Sequence, residues 1–264
     1  MRKRIIKKRV AARKAPGLDE TVHAEISRAI LEGKLAAGTK LAEHELAGLF
    51  GVSRERIRKV LHRLGAERRI EIIPNRGAFI PRPTAADVKS VYEAHRALEA
   101  GVLAQLAPNV DDDLLGILDR HVAQERAAAE AGDRAASVRL SGAFHLHLVD
   151  ALGNAHLSHF LRELISRSSV IVSIYEPASQ SICAVDEHAG IVEALRARDA
   201  GRAMALSHRH FQHVESRLAL DRAAKPELTL ATIFGGFKGS MRRGRAASGS
   251  RKVLEAEQDI GDRK

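Results

Sequence analysis

The chain has 264 residues, 45% of them hydrophobic, 3% aromatic and 29% charged, with one cysteine and a net charge of +10. That length accommodates two domains with a core each, and no apolar run reaches the ~20 residues of a membrane span. A lone Cys183 excludes an intrachain disulfide framework and suits a reducing cytoplasm.

The charge is unevenly spread. Residues 1–83 carry 20 Lys/Arg against 9 Asp/Glu, residues 84–224 carry 14 against 19, and residues 225–264 carry 9 against 5. A basic head on an acidic body points to a polyanion as the head's partner, nucleic acid before an anionic membrane surface.

Eight of the first fourteen residues are Lys or Arg. They lack the apolar core of a secretory signal, so residues 1–17 are expected to be a disordered basic arm and not an export signal. Asp19 is placed to cap a helix over 20–32, in which Val22, Ile26, Ala29 and Ile30 recur at helical spacing and which Gly33 ends. "AAGTKL" follows as a turn and "AEHELAGLF" as a second short helix closed by Gly51. Ser53 then caps a third helix over 54–66. Here Val52, Ile57, Val60, Leu61 and Leu64 form one stripe, and Arg54, Arg56, Arg58, Lys59 and Arg63 are displaced from it. "RIEIIP" and "GAFIPR" read as two short strands around a turn made by Pro74, Asn75 and Gly77.

Three short helices and a hairpin are the layout of a winged helix-turn-helix, whose third helix is buried on one side and open to the major groove on the other. A solvated charged face on an ordinary helix is the plain alternative. It leaves the capping Ser, the preceding helix and the hairpin unconnected. Residues 19–82 also contain "G-x-L-x-x-G-x-x-L", "E-x-E-L-A", "G-V-S-R-x-x-(I/V)-R" and "N-R-G-A" in that order. With these motifs the segment resembles the DNA-binding domain of GntR-family bacterial transcription regulators. The resemblance implies that Ser53, Arg54, Arg56 and Arg58 contact DNA and that Arg76 and Gly77 approach the minor groove. His44 stands where an arginine often contacts the backbone. Glu55 and Arg56 replace the small or Thr/Pro residues usual after the Ser-Arg pair, which implies an altered operator sequence.

"PRPTAAD" joins the two regions, with Thr84 and Asp87 spaced as a capping box. Six helical segments follow, near 84–106, 111–131, 133–152, 155–175, 182–198 and 199–223, with almost no strand signal. The expected fold class is mainly α: a winged helix-turn-helix with a small hairpin wing over 18–82, an all-α bundle over 83–224 and a flexible basic tail over 225–264. The basic stretches 2–14 and 238–252 either add phosphate contacts or only solubilise the ends.

Ten histidines lie in the bundle. Histidines projecting inward from separate helices can converge on a metal, although a lone one is usually a surface or satisfied core residue. "VYEAHRALE", "FHLHLVDALGN", "DEHAGIVEALRARDAGRAM" and "SHRHFQHVESRL" resemble the FCD ligand-binding domain of the FadR subfamily, over residues 84–222. Many such domains hold one divalent metal through an Asp and a His four apart on one helix and a His from each of two later helices. The resemblance assigns the histidines to His145, His188 and His210. At the Asp position stands Ser141, whose neutral hydroxyl weakens a site for Zn²⁺ or a similar ion. Three histidines alone still make a usable zinc site with open positions.

The effector-contacting set is His95, Arg96 and Ser141. His95 stands where the family usually places an arginine that pairs with a carboxylate effector, and Arg96 lies about 100° round the same helix. Two readings stay open: an effector that is neutral or a nitrogen heterocycle, or simple drift in which Arg96 still reaches in.

The resemblance therefore implies a ligand-responsive regulator, most often a repressor, acting as a C2 homodimer on a near-palindromic double-stranded operator. The competing class is a metal-dependent enzyme using His145, His188 and His210, with the head as a targeting module. Against it, Glu187 adjoins His188 but faces elsewhere on a helix, and no Ser-His-Asp order, phosphate-binding Gly loop or Cys nucleophile context occurs. A non-specific nucleoid protein is the third class.

Overall fold

The computed structural model describes residues 17–177, 184–220 and 228–237. Residues 1–16 of the expected arm, residues 238–264 of the expected tail and Cys183 lie outside the described residues.

The head begins with α1 (Leu18–Leu31), α2 (Glu43–Phe50) and α3 (Arg54–Ala66). Gly17, not Asp19, is the N-cap of α1, and it makes no side-chain bond there. Asp19 instead lies in the first turn and accepts a hydrogen bond from Arg56 of α3 at 3.0 Å. Gly51 closes α2 with φ of 68°, a left-handed turn that leads into α3 without a Cβ clash. Ser53 caps α3, its Oγ accepting the Arg56 N–H at 3.3 Å and so satisfying one of the helix's orphan donors. Ile57, Val60, Leu61 and Leu64 are buried in one core with Ile26, Leu46 and Phe50, while the basic residues of α3 stay exposed.

The wing is β1 (Glu71–Ile73) paired antiparallel with β2 (Gly77–Phe79), Glu71 opposite Phe79. Each strand is three residues long, shorter than the stretches read as strands. Its turn needs positive φ at Asn75 (60°) and Gly77 (106°). Residues 38–41, read as a plain turn, add a further edge to this hairpin. The Leu41 N–H donates to the Ala78 carbonyl and the Ile80 N–H to the Thr39 carbonyl, both at 2.9 Å.

The bundle comprises α4 (Ala85–Leu106), a short 3-10 turn (Ala107–Asn109), α5 (Asp112–Glu130), α6 (Arg134–Asp150), α7 (Ala155–Tyr175), α8 (Ala184–Arg196) and α9 (Ala200–Ser216). Thr84 and Asp87 form a complete capping box, and Asp111, Asp133, Asn154 and Asp199 each accept a first-turn N–H. α9 stops seven residues short of the expected 223. There the chain turns so that Leu218 and Leu220 pack against the Tyr92 and Phe211 cluster, with the Ala219 N–H donating to the Tyr175 carbonyl at 3.0 Å. Apolar burial outweighs continuation of the helix at that point.

The expectation of a flexible tail from 225 does not hold for residues 228–237. They contain α10 (Leu230–Phe234), capped by Thr229. Leu230 and Phe234 are buried in the core of the head, and the rings of Phe234 and Phe237 lie 5.1 and 4.7 Å from that of Phe50. Aromatic contacts of this kind add to plain area burial. The head also rests on the bundle through α1, where Leu31 is buried against Ala135, Val138 and Val172. Arg68 pairs with Glu163 at 3.1 Å, and the Ser166 hydroxyl donates to the Glu67 carbonyl.

Candidate DNA-binding face and candidate metal centre

The cations of α3 are presented outward because the apolar stripe fixes the rotation of the helix and the Ser53 cap fixes its start. Arg54, Arg56, Arg58 and Lys59 are all exposed, as is His44 at the start of α2. Three of them already carry partners, Lys59 the most distant, 3.9 Å from Asp19. Arg56 pairs with Asp19, and Arg58 forks onto both oxygens of Glu43 at 2.9 Å each. Exposed pairs of this kind are weak, so a phosphate can displace either carboxylate at small cost. At the wing, Gly77 and Arg76 are exposed. Arg76 and Lys40 each hold their cation 5.8 Å from the centre of the Phe79 ring. Lys40 is a further wing cation that the sequence reading missed. Its signal lay in the pairing of residues 38–41 with β2, which no local pattern announces.

In the bundle, a cavity of about 70 Å³ is lined by Tyr92 and His95 from α4, Glu125 from α5, Ser141 and His145 from α6, residues of α7, and His210 and Phe211 from α9. His145, His188 and His210 are all buried, and a ring nitrogen of each lies within 4.8 Å of the others. Three helices distant in sequence thus bring together the three histidines assigned to a metal. Ser141 stands one turn before His145 on the same wall.

Each histidine is backed by a carboxylate. The His188 Nδ1–H donates to both oxygens of Glu125 at 2.9 and 3.0 Å, leaving its Nε2 buried and without a partner among the described residues. The His210 Nδ1–H donates to Glu187 at 2.7 Å, and Glu187 also takes a bond from His213. His145 Nδ1 lies 2.7 Å from Glu99 Oε2, an ion-pair contact too poorly aligned to be a good hydrogen bond. Glu99 accepts in addition from the Ser207 hydroxyl at 2.7 Å. Phe144 stacks on His188 at 4.1 Å and holds that ring flat.

Burial drives His188 well below the ordinary histidine range and lowers His210, against the pull of Glu187. These two rings are therefore neutral near pH 7, the state in which imidazole lends a lone pair to a cation. Burial raises Glu125 to about 7. Burial also works against ionised Glu99 and Glu187, yet their histidine partners hold both at about 2. A partnerless Nε2 on a neutral ring whose other nitrogen is fixed by a carboxylate is the arrangement metal-ligating histidines adopt. The residues fit a divalent cation that favours nitrogen donors.

The two adjacent residues expected to meet an effector part company. His95 is buried on the cavity wall, neither ring nitrogen making a hydrogen bond among the described residues although Nε2 lies 3.7 Å from Glu99 Oε2, and burial lowers it to about 3. Arg96 points away and pairs with Glu215 of α9 at 2.8 Å, outside the cavity lining. The reading in which Arg96 reaches in is corrected accordingly: the 100° between neighbours on a helix is not absorbed by any change of register. Glu187 does face away from the cavity, toward His210 Nδ1 and His213. Glu125, Tyr92 and Arg217 are cavity residues that sequence reasoning did not find. The only hint of Glu125 was its place four residues after His121, on the buried side of α5.

Comparison with known proteins agrees with this two-part architecture. The family "Bacterial regulatory proteins, gntR family" matches residues 18–80, and the family "FCD domain" matches residues 90–213. The HTH-type transcriptional regulator YdhC of Bacillus subtilis is 26% identical over 193 residues, covering 72% of this chain and 85% of its own. The HTH-type transcriptional repressor RspR of Escherichia coli is 23% identical over 201 residues, covering 75% of this chain and 87% of its own. Among solved structures, a GntR transcriptional regulator from a Rhodococcus species has the same fold, with a TM-score of 0.64 at 20% identity over 75% of this chain and 95% of that one.

Proposed function

The chain belongs to the GntR family of bacterial regulatory proteins, with that family's DNA-binding domain followed by an FCD domain, and from this we propose a metal-holding, effector-released repressor that binds a near-palindromic operator as a homodimer. Regulation of transcription through DNA binding is the activity of its relatives, and the enzyme alternative is set aside with it. The Escherichia coli relative is a repressor by name, and the same sense of control is proposed here. No helix among the described residues is long and apolar enough to cross a membrane.

The observation that carries the reading is the pairing of a capped, outward-facing arginine helix with a buried three-histidine cluster in one chain. In the head, Ser53 fixes the start of α3, and Arg54, Arg56 and Arg58 supply forked donors for guanine edges or phosphates. Arg76 and Lys40 add cations at the wing. In the bundle, His145, His188 and His210 would hold the metal, and Ser141 and His95 would face the effector. A bound divalent cation supplies a Lewis-acid anchor for an effector's lone pair. The neutral His95 accepts or donates a hydrogen bond but offers no fixed charge, which favours an effector whose far end is uncharged.

Effector binding alters operator affinity only if the two arrangements of the protein bind the effector unequally. Val138 and Val172 give a route for this. Both line the cavity; Val138 shares a buried cluster with Leu31 of the head, and Val172 packs against that cluster. Selection of binding sites from a random DNA pool tests the reading. Two half-sites related by a dyad are expected, with sedimentation of the complex as a dimer on one duplex. Recovery of unrelated sequences would contradict it.

A further inference from the structure

The cluster raises a question of charge. Imidazole ligands bind a cation as neutral donors and so add nothing to balance a dication, and the position one turn before His145 holds Ser141 where a carboxylate is expected. Ser141 and Glu125 line the same cavity, from α6 and α5. Glu125 is only 3% exposed. Both of its oxygens sit on His188 Nδ1, at 2.9 and 3.0 Å, and its Oε1 is 3.7 Å from His121 Nε2.

The other two carboxylates are differently placed. Glu99 is divided between His145 and Ser207, and Glu187 between His210 and the exposed His213. Neither lines the cavity. Among the three, Glu125 alone borders the space where a cation and an effector would meet.

Resting on the metal reading above, we infer that Glu125 is the positioning residue that replaces the missing carboxylate at 141. It fixes the His188 ring with its partnerless Nε2 toward the cluster and, kept ionised by a cation held beside it, would contribute the negative charge from the outer sphere instead of as a direct ligand. Partners of this kind affect metal affinity strongly, because they set both the orientation and the basicity of the ligating ring, and their loss commonly costs tenfold to a hundredfold. The arrangement also keeps the position at 141 free. His145, His188 and His210 would then hold the metal without a carboxylate side chain at 141, leaving room beside them for a ligand's own donor atom.

The test is a Zn²⁺ titration of the full-length chain after removal of metal by a chelator, read by competition with a chromophoric chelator. Wild type is compared with Glu125→Gln, Glu125→Asp, His188→Ala and the double variant Glu125→Gln/Ser141→Asp. Glu125→Gln keeps the shape and an acceptor for His188 but loses the charge. Its metal-free melting temperature and far-ultraviolet spectrum stay as in wild type, and its Zn²⁺ affinity drops at least tenfold. Glu125→Asp, which keeps the charge on a shorter arm, loses less. Ser141→Asp in the Glu125→Gln background restores affinity, because a carboxylate one turn before His145 reaches the same cavity.

Equal affinity of wild type and Glu125→Gln, with His188→Ala inactive in binding, overturns the role of Glu125 and leaves the three-histidine site standing. A loss in Glu125→Gln that Ser141→Asp does not repair overturns the charge replacement. Wild type and His188→Ala binding alike, or neither binding, overturns the metal site and this inference together.

Discussion

Leu31, the last residue of α1, is buried against Val138 of α6, and Val138 also lines the cavity between the histidines. Val138 therefore belongs both to the cluster that seats the DNA-binding head and to the wall of the sensor space. A shift of the α6 wall by a bound effector is felt at the seat of α1 without any intervening loop, because close-packed interiors pass on displacement instead of absorbing it.

Truncating Leu31 separates the two functions. Leu31→Ala costs about 2 kcal/mol of stability, the low end for a buried leucine. In the intact protein, Zn²⁺ added after chelation changes the operator dissociation constant. In Leu31→Ala the same addition leaves it unchanged, while Zn²⁺ affinity stays as in wild type. Fluorescence anisotropy on a labelled operator reads the first quantity and competition with a chromophoric chelator the second, and a wild-type response of operator binding in the variant would contradict the route through Val138.

The ion pairs on α3 give opposite effects for cation and anion. Arg54→Ala weakens operator binding and, if Arg54 meets phosphate, makes the slope of log affinity against log salt shallower by about one. Glu43→Gln frees Arg58 and removes a negative charge from the DNA-facing side. It tightens binding by up to about fivefold, because an exposed pair is weak. Weaker binding in Glu43→Gln would place Arg58 outside the interface.

Docking of α10 stabilises the head. Phe234→Ala removes a buried ring from Phe50 and is expected to lower stability by about 3 kcal/mol. Melting followed by circular dichroism then shows a lower midpoint, with Zn²⁺ affinity unaffected. A midpoint equal to that of wild type would mean that the segment contributes no packing.

The metal-free protein is acid-sensitive in a particular order. Burial lowers His95 from 6.5 to about 3. Below pH 6.5 the unfolded chain takes up a proton that the folded protein refuses, so stability is full above 6.5 and falls as the pH approaches 3. Glu99 and Glu187, held at about 2 against an ordinary 4.5, act in the same sense but lower, their contribution disappearing between 4.5 and 2. Urea midpoints measured in chelator therefore decline from pH 6.5 downward. His95→Gln makes the decline between 6.5 and 4.5 shallower and leaves the lower part in place; His188 and His210, also lowered by burial, sustain the rest of it, and Glu125, raised to about 7, opposes it between 7 and 4.5. A slope in His95→Gln equal to that of wild type across that upper interval contradicts the buried, neutral state of His95.

What was legible in the sequence was local. The stripe of Ile57, Val60, Leu61 and Leu64, the Ser53 cap and the Thr84–Asp87 box are decided within one or two turns of chain, and each forms as its pattern requires. The three histidines were legible only through family resemblance. Their meeting depends on how α6, α8 and α9 pack, which no spacing within one helix encodes. Glu125 and Lys40 were missed for the same reason: each owes its role to a partner on another element, His188 in one case and the β2 edge in the other. α10 escaped notice because five residues cannot display a helical period, and its stability comes from Phe50, 184 positions before Phe234. Asp19 looked like a cap because its type is right for one. Arg56 across the head makes it an ion-pair partner instead.

The account stands first on specific DNA binding, and the most direct measurement is a comparison of two affinities at one salt concentration. One duplex carries the sequence upstream of the protein's own gene, and the other is a random sequence of equal length. A preference of at least about a thousandfold is expected for a specific regulator, with Arg54→Ala losing most of it. Equal affinity for the two duplexes would contradict the account, leaving a basic head that binds phosphate backbones without reading sequence.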